Sequence, residues 1–208
     1  MVFSNWPLVI DLRTGFFVGG GGEISVMNAA SAQLWNWLGL PSGVASSIAD
    51  TKAIDAQFGM GKAISSLAAD PAGGNLIYEF SGMRASLLGA SFEAFILDDE
   101  MHSLMYRTLR GVVINEETPG FDAIREAVIG PGHFPGGAHT IAAMQRDYFY
   151  PRIADRDAPV TWDEKGRPDA WGRTRAVARQ VLATPHPAYL PPDAEACIRG
   201  AFDIPLEL

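Results

Sequence analysis

The sequence predicts an α/β fold built from three or four successive βα units, followed by a helical region. Within about the first 110 residues, a short apolar segment is followed three times by a polar or glycine-rich loop and then by a helical pattern. Such units place parallel strands side by side through right-handed crossovers. Hydrophobic residues make up 48% of the 208 residues, enough for a buried core, and charged residues 19%, which argues against disorder.

The first unit begins with an apolar strand predicted over residues 2–5. Pro7 interrupts this segment, so residues 6–12 are predicted to turn over the end of the strand. Four consecutive glycines at 19–22 lead into a helix predicted over residues 23–38, where apolar side chains recur at helical spacing. Gly39 favours the end of that helix.

Two further units repeat the same order of elements. The second has a strand predicted over residues 43–48 and a helix over 54–68. The third has a strand predicted over residues 75–80 and a helix over 92–109. Together with the first unit, they predict neighbouring parallel strands covered by helices.

The character of the chain changes after the third unit. Residues 112–118 are predicted as a last short strand or an extended connection. Later helices are predicted over 118–128, 140–149, 169–182 and 192–201. We therefore predict a partial barrel of βα units in residues 1–115 and a helical C-terminal extension that packs on it in residues 116–208.

Three or four βα units cannot close a barrel, which needs eight. A half-barrel exposes two sheet edges and an apolar layer. We therefore expect either that the chain is part of a longer protein or that it associates with itself as a homo-oligomer. The strand-like beginning favours the first alternative.

The composition argues against several classes of partner. A net charge of −8 and a pI of about 4.9 disfavour nucleic acid, because an acidic surface repels phosphates. The one cysteine, Cys197, excludes an internal disulfide and fits a reducing cytoplasm. The N-terminus lacks the pattern of a signal peptide, and no apolar run approaches the roughly 20 residues of a membrane helix. We predict a cytoplasmic protein.

No metal site is predicted. A zinc site brings together three or four Cys, His or carboxylate ligands. The four histidines are scattered along a helix, a glycine-rich loop and a proline-rich segment, at His102, His133, His139 and His186. His133 and His139 could converge, but ordering of their loop through backbone hydrogen bonds is the preferred interpretation.

Acidic residues at the ends of predicted strands are the strongest chemical signal. Asp11, Asp50 and Glu79 lie at or just past the strand in three successive units. Asp50 has an alternative role as the cap of the following helix, whereas Glu79 lies among apolar and aromatic residues and would be costly to bury alone. Trp6 follows the first strand, where its ring could pack or hold a cation. A crevice lined by acids and aromatic rings suits a cationic small molecule.

Two glycine-rich segments fail to match nucleotide-binding motifs. The glycines at 19–22 could cradle an anion with backbone N–H groups, but they lack the P-loop pattern, so a flexible turn is the preferred interpretation. The GMGKA segment at 59–63 falls inside a predicted helix and is not a P-loop either.

Five segments carry a resemblance to a known family. They are, in order, VFSNWPLVIDLRTG, MNAASAQL, DTKAIDAQFGMGKA, LLGASFEAFILDDEM, and GHFPGGAHT before YFYPRI. Together they resemble the trimethylamine methyltransferase (MttB) family. The resemblance implies the C-terminal part of a TIM (βα)8 barrel, because family members are more than twice this long. It also implies transfer of a methyl group from a methylated amine to the cobalt of a separate corrinoid protein.

The chain departs from the family pattern in two respects. Gly137 and Ala138 stand where His-Pro is expected. The founding enzymes carry pyrrolysine, whereas this chain contains only standard residues. It therefore resembles the branch without pyrrolysine, whose glycine betaine enzymes act on quaternary amines.

The resemblance and the strand-end acids together predict the site. The substrate-binding residues are predicted to be Trp6, Asp11, Arg13, Asp50 and Glu79. Their loop is predicted to be positioned by Lys52, Asp55 and Gln57. Arg13 would bind the carboxylate of a betaine, no catalytic residue is assigned, and no cofactor is expected to be bound tightly. The alternative function is that of a truncated or split, inactive barrel fragment that acts as an oligomerisation or binding unit.

Overall fold

A computed structural model of the protein describes residues 1–185 and 189–204 as a mixed α/β structure. The described residues form six short strands: β1 Ile10–Asp11, β2 Phe16–Phe17, β3 Gly43–Ala45, β4 Leu76–Tyr78, β5 Met83–Arg84 and β6 Gly89–Ala90. They also form eight helices: α1 Gly22–Trp37, α2 Ala56–Ala69, α3 Phe92–Leu109, α4 Phe121–Ile129, α5 Ala138–Asp147, α6 Pro159–Glu164, α7 Ala170–Ala183 and α8 Pro192–Ala201.

The parallel pairing expected of βα units is present. Strand β3 pairs with β4 in parallel, with Gly43 opposite Leu76 and Ala45 opposite Tyr78. Phe3 forms a parallel bridge on the other side, and the Gly43 amide donates to its carbonyl at 2.7 Å. The chain segments that precede α1, α2 and α3 are therefore parallel neighbours. The strands of the described residues form open two-stranded sheets and no closed barrel.

The helices α1 and α2 cover one face of this parallel pair. Val44 of β3 is fully buried against Ala32 of α1 and Ala69 of α2, and Ile77 of β4 packs on the same cluster. Small side chains at the contact allow the helices to approach the strands closely. At the carboxyl ends of the strands, a second cluster joins Ala49, Phe58 and Ala94.

Several predicted strands are shorter than expected or absent. The strand predicted over residues 2–5 is reduced to the single bridge at Phe3, and residues 112–118 contain no strand. The strands predicted over 43–48 and 75–80 end early, because Ser47 and Glu79 adopt left-handed backbone conformations with φ of 60° and 59°. A residue in that conformation cannot continue an extended strand.

Two hairpins and one helix were not predicted. β1 pairs antiparallel with β2, and β5 with β6, through strands of only two residues each. Strands this short carry no measurable alternation of apolar and polar side chains, so the sequence pattern does not reveal them. Helix α6 has six residues, too few for a helical period to be recognised.

Glu100 of α3 holds the beginning of the C-terminal region. Its buried carboxylate accepts the backbone N–H groups of Arg152, Ile153 and Ala154, the last two at 2.6 Å. Arg173 of α7 donates to the Ile153 carbonyl, also at 2.6 Å. Helix α7 packs against α3, so this carboxylate ties the turn at 152–154 to the βα region.

Within the two described ranges, no helix combines the length and apolar character needed to cross a membrane. His186, one of the four histidines considered as metal ligands, lies outside the described residues.

Candidate functional site

Three segments meet at the carboxyl ends of β3 and β4. They are the glycine loop at 19–22, residues 47–52 and residues 79–87, and we refer to them together as the strand-end site. In parallel α/β proteins, this end of the strands is where ligands bind. Hydrogen bonds between residues distant in sequence hold the three segments together.

Asp50 is the centre of these contacts. Its carboxylate accepts the amide of Gly19 at 2.6 Å, the amide of Gly20 at 3.2 Å and the hydroxyl of Ser86 at 2.8 Å. The glycine loop therefore does cradle an anion, and that anion is the side chain of Asp50. A Cβ atom on Gly20 would lie 3.0 Å from the Ile48 carbonyl oxygen, so a side chain there would force the loop or residue 48 to shift.

Asp50 does not cap the following helix, as its alternative interpretation required. Asp55 caps α2 instead, because its carboxylate accepts the Phe58 amide at 3.1 Å. The Lys52 ammonium donates to the Asp50 carbonyl at 3.0 Å and lies 5.5 Å from the centre of the Phe16 ring.

Gln57 is the third residue predicted to position the loop. It lies exposed in the first turn of α2, and its side chain forms no hydrogen bond with any described residue. The three loop-positioning residues therefore differ in their contacts: Asp55 and Lys52 are bonded to the loop and Gln57 is not.

Asp11, the last residue of β1, forms an ion pair with Arg13 of the turn that follows. Two guanidinium nitrogens of Arg13 lie 2.9 and 2.6 Å from the two carboxylate oxygens of Asp11. This hydrogen bonding by Arg13 lowers the pKa of Asp11 to about 2. Trp6 lies nearby in sequence with half of its surface exposed. The charge of Asp11 is thus already balanced by Arg13, which weakens the prediction that Asp11 faces a cationic ligand.

Glu79 differs from the other two strand-end acids. It is half-buried at the end of β4, and its side chain forms no hydrogen bond or ion pair with any residue that the structure describes. Of the three strand-end acids, Glu79 alone therefore has a side chain without a polar partner among the described residues.

Backbone strain is concentrated in the strand-end site. Of the six described non-glycine residues with positive φ, five lie there: Ser47, Glu79, Ala85, Ser86 and Leu87. Each such residue costs on the order of 1–3 kcal/mol and persists only where the surroundings hold it. The loops at the ends of β3 and β4 are therefore kept in unfavourable conformations by their contacts.

A buried group of charged and polar side chains lies beneath this site, and the sequence analysis missed its role. Lys62 of α2 and Asp98 of α3 are both fully buried and lie 2.6 Å apart. Asp98 also accepts the Gly82 amide at 2.7 Å, and the Lys62 ammonium lies 4.9 Å from the centre of the Phe58 ring. Burial lowers the pKa of Lys62 and raises that of Asp98, and each partner's charge opposes these shifts.

His102 is the third member of what we call the buried network, Lys62, Asp98 and His102. Its ring stacks on Phe80, with the two centres 3.5 Å apart and the planes nearly parallel. The two ring nitrogens lie 3.4 Å from the hydroxyls of Ser47 and Ser81. His102 thus bridges the ends of β3 and β4.

One signal in the sequence could have revealed Lys62. It follows Phe58 by four residues and precedes Ala69 by seven, and both of those residues are buried. A lysine at this spacing lies on the same face of the helix as the apolar residues.

The lowered pKa of His102 predicts that the stability of the fold depends on pH. Burial, and then the charge of Lys62, lowers its pKa from 6.5 to about 4. The unfolded chain therefore takes up a proton below pH 6.5 that the folded chain does not accept until near pH 4. The free energy of unfolding is expected to fall between these values, by about 3 kcal/mol in total.

This expectation is checked by urea unfolding at pH 7 and pH 4.5. A His102→Gln variant, whose amide can still bond to the Ser47 and Ser81 hydroxyls, should lose clearly less stability over this interval than the wild-type protein. Equal losses in the two proteins would contradict the assignment to His102.

Two clefts lie away from the strand-end site. One of about 360 Å³ lies between residues 150–157 and Arg173, and one of about 350 Å³ is lined by His133, Phe134 and His139. In the part of the chain that the structure describes, no three His, Cys, Asp or Glu side chains form a possible metal-binding group.

Comparison with known proteins shows the family of the chain. Residues 1–203 match the trimethylamine methyltransferase (MTTB) family. A glycine betaine methyltransferase of Desulfitobacterium hafniense is 30% identical over 201 residues, 96% of this chain and 41% of the relative. The trimethylamine methyltransferase MttB of Methanosarcina barkeri is 30% identical over 204 residues, 96% of this chain and 40% of the relative.

The chain spans about two fifths of the length of these relatives. The match nevertheless includes nearly every residue of the chain, among them all of the strand-end site and the buried network. The chain belongs to the trimethylamine methyltransferase family.

Proposed function

We propose that the chain is part of a methyltransferase that takes a methyl group from a methylated, quaternary amine and delivers it to a corrinoid protein. The observation that carries this proposal is the 30% identity to a glycine betaine methyltransferase across 96% of the chain. The proposed substrate is a betaine-like quaternary ammonium compound. Its nitrogen already carries a positive charge, so the amine leaves as a neutral molecule once the methyl group is transferred. The site then needs no general acid.

The tasks of this chain in the proposed reaction are binding and alignment. The methyl acceptor would be the reduced cobalt carried by the partner protein, which supplies the nucleophile. The strand-end site would hold the cation, direct one N–CH₃ bond towards the acceptor and exclude water. Glu79 would balance the charge of the ammonium group, and Asp50 would keep the glycine loop and residues 84–87 in place.

The two acids are expected to respond differently to substitution. Glu79→Gln should weaken binding of glycine betaine by about tenfold with little change in stability, because Glu79 has no partner among the described residues. Asp50→Asn should lower the free energy of unfolding by about 1–3 kcal/mol and should also weaken the binding of glycine betaine. The amide has one acceptor oxygen in place of two, so one of the three groups that donate to Asp50 loses its acceptor.

Isothermal titration and urea unfolding of the two variants measure these effects. Ser86→Ala serves as the control, since it removes only one of the donors to Asp50. If Glu79→Gln binds the ligand as tightly as the wild-type protein, Glu79 is not the carboxylate that meets the cation.

Titration of the full-length protein with glycine betaine, carnitine and trimethylamine tests the proposed substrate class. Methyl transfer to reduced cobalamin or to a cognate corrinoid protein tests the reaction. Absence of binding and transfer across this panel would favour an inactive fragment that acts as a binding unit.

We also propose that the open sheet is covered in the working protein, by further barrel strands or by a second copy of the chain. Leu76, the first residue of β4, is exposed, and so is Val2, which precedes the bridge residue Phe3. Light scattering of the full-length protein distinguishes a monomer from a homo-oligomer.

A further inference from the structure

We propose that Lys62, Asp98 and His102 form a positioning network that sets the conformation of both strand ends for ligand binding. This inference rests on the proposed function, because it assigns a task to residues that do not themselves meet the ligand. All three side chains are buried, and none is exposed at the strand-end site.

The first step of the argument concerns Gly82. The Asp98 carboxylate accepts its amide at 2.7 Å and is held in place by the Lys62 ammonium at 2.6 Å. Gly82 has a φ of 78°, and a Cβ atom there would overlap the ring of Phe95. The buried ion pair thus holds the tightly packed bend at Gly82, four residues after β4 ends at Tyr78.

The second step concerns the two strand ends themselves. The His102 ring lies within 3.4 Å of the hydroxyls of Ser47 and Ser81 and stacks on Phe80. Ser47 is one of the residues with a strained left-handed backbone, and its amide is also bonded to the Ser65 hydroxyl at 3.1 Å. These contacts hold the end of β3 against the end of β4.

The third step connects the network to Asp50. Four residues after Gly82, the Ser86 hydroxyl donates to the Asp50 carboxylate. The amides of Ala85 and Ser86 donate to the carbonyls of Thr51 and Ala49 at 2.9 and 3.0 Å. A turn released at Gly82 would therefore shift the partners of Asp50 and the neighbouring Glu79.

A purely structural ion pair and a positioning one predict different results for paired substitutions. Lys62→Met/Asp98→Leu removes both charges and the acceptor of the Gly82 amide, whereas Lys62→Met/Asp98→Asn removes both charges and keeps an acceptor oxygen. The replacement of a buried ion pair by apolar side chains is often neutral for stability. Both double variants are therefore suitable for binding measurements.

The experiment uses the full-length protein with glycine betaine as the probe. Hydrogen exchange followed by mass spectrometry over a peptide containing Gly82 should be at least tenfold faster in Lys62→Met/Asp98→Leu. The Kd for glycine betaine should rise at least tenfold. Lys62→Met/Asp98→Asn should restore both values to within about threefold of the wild type. Lys165→Met/Asp157→Leu, a surface ion pair of 2.7 Å, is the matched control and should change neither.

Two outcomes would overturn the proposal. One is unchanged exchange at Gly82 in the Met/Leu variant, and the other is faster exchange with unchanged affinity. If the wild-type protein binds no amine, the proposed function fails, and the exchange data alone decide whether the network holds the turn. If the Met/Leu variant does not fold, His102→Phe decides, because it removes the contacts with the Ser47 and Ser81 hydroxyls and keeps an aromatic ring beside Phe80. At least tenfold weaker binding of glycine betaine by this variant supports the proposal, and wild-type affinity contradicts it.

Discussion

Lys62→Met is expected to lower the free energy of unfolding by about 3–5 kcal/mol, because it leaves the fully buried carboxylate of Asp98 without its cation. Oδ1 of Asp98 already lacks a hydrogen-bond partner among the described residues. The remaining amide of Gly82 cannot replace a positive charge. In the variant, Asp98 must either stay ionised in an apolar environment or take up a proton, and both cost free energy.

Urea unfolding at pH 7 measures this effect. The double variant Lys62→Met/Asp98→Leu distinguishes the cost of a buried, unpaired carboxylate from the loss of the ion pair itself. It should regain most of the stability that the single variant loses. A single variant within about 1 kcal/mol of the wild type would show that the pair is hydrated in solution, contrary to its complete burial.

Glu100→Ala is expected to release the turn at residues 152–154 and to lower the free energy of unfolding by about 3 kcal/mol. Three backbone N–H groups lose their charged acceptor, and the one at Ile153 is buried. Hydrogen bonds to charged groups contribute about 1.5–3 kcal/mol each, but the two partly exposed amides can bond to water instead. The expected loss of stability is therefore smaller than the sum of the contributions of three hydrogen bonds to a charged group.

Thermal unfolding and hydrogen exchange at residues 152–154 check this prediction. Asp99→Asn is the matched control, because Asp99 is exposed and pairs with Arg152 of the same turn at 3.2 Å. The control should change stability by less than about 1 kcal/mol. Equal effects of the two substitutions would show that Glu100 acts only as a surface charge.

Much of the helical framework follows from local patterns in the sequence. The helix predicted over residues 92–109 is observed as α3 with those bounds, and α8 likewise spans 192–201. The predicted parallel order is also confirmed, since β3 lies between Phe3 and β4. The short hairpins were not predictable, because their two-residue strands are defined by backbone pairing and not by a repeating side-chain pattern.

The site shows where local patterns stop being informative. The sequence analysis selected Asp11, Asp50 and Glu79 because each follows a strand. The structure gives them three different environments: an ion pair with Arg13, three bonds within the strand-end site, and no partner among the described residues. Whether an acid is available to a ligand depends on its neighbours in space.

The sequence by itself determined the family of the chain, the order of its βα units and the chemical groups at the strand ends. These properties depend on motifs and side-chain spacing within short segments. Only the tertiary structure decided that the glycine loop binds Asp50, 30 residues away, and that Lys62 meets Asp98 across 36 residues. Such partners are chosen by packing, because the free energy of a charge depends on which groups replace its water.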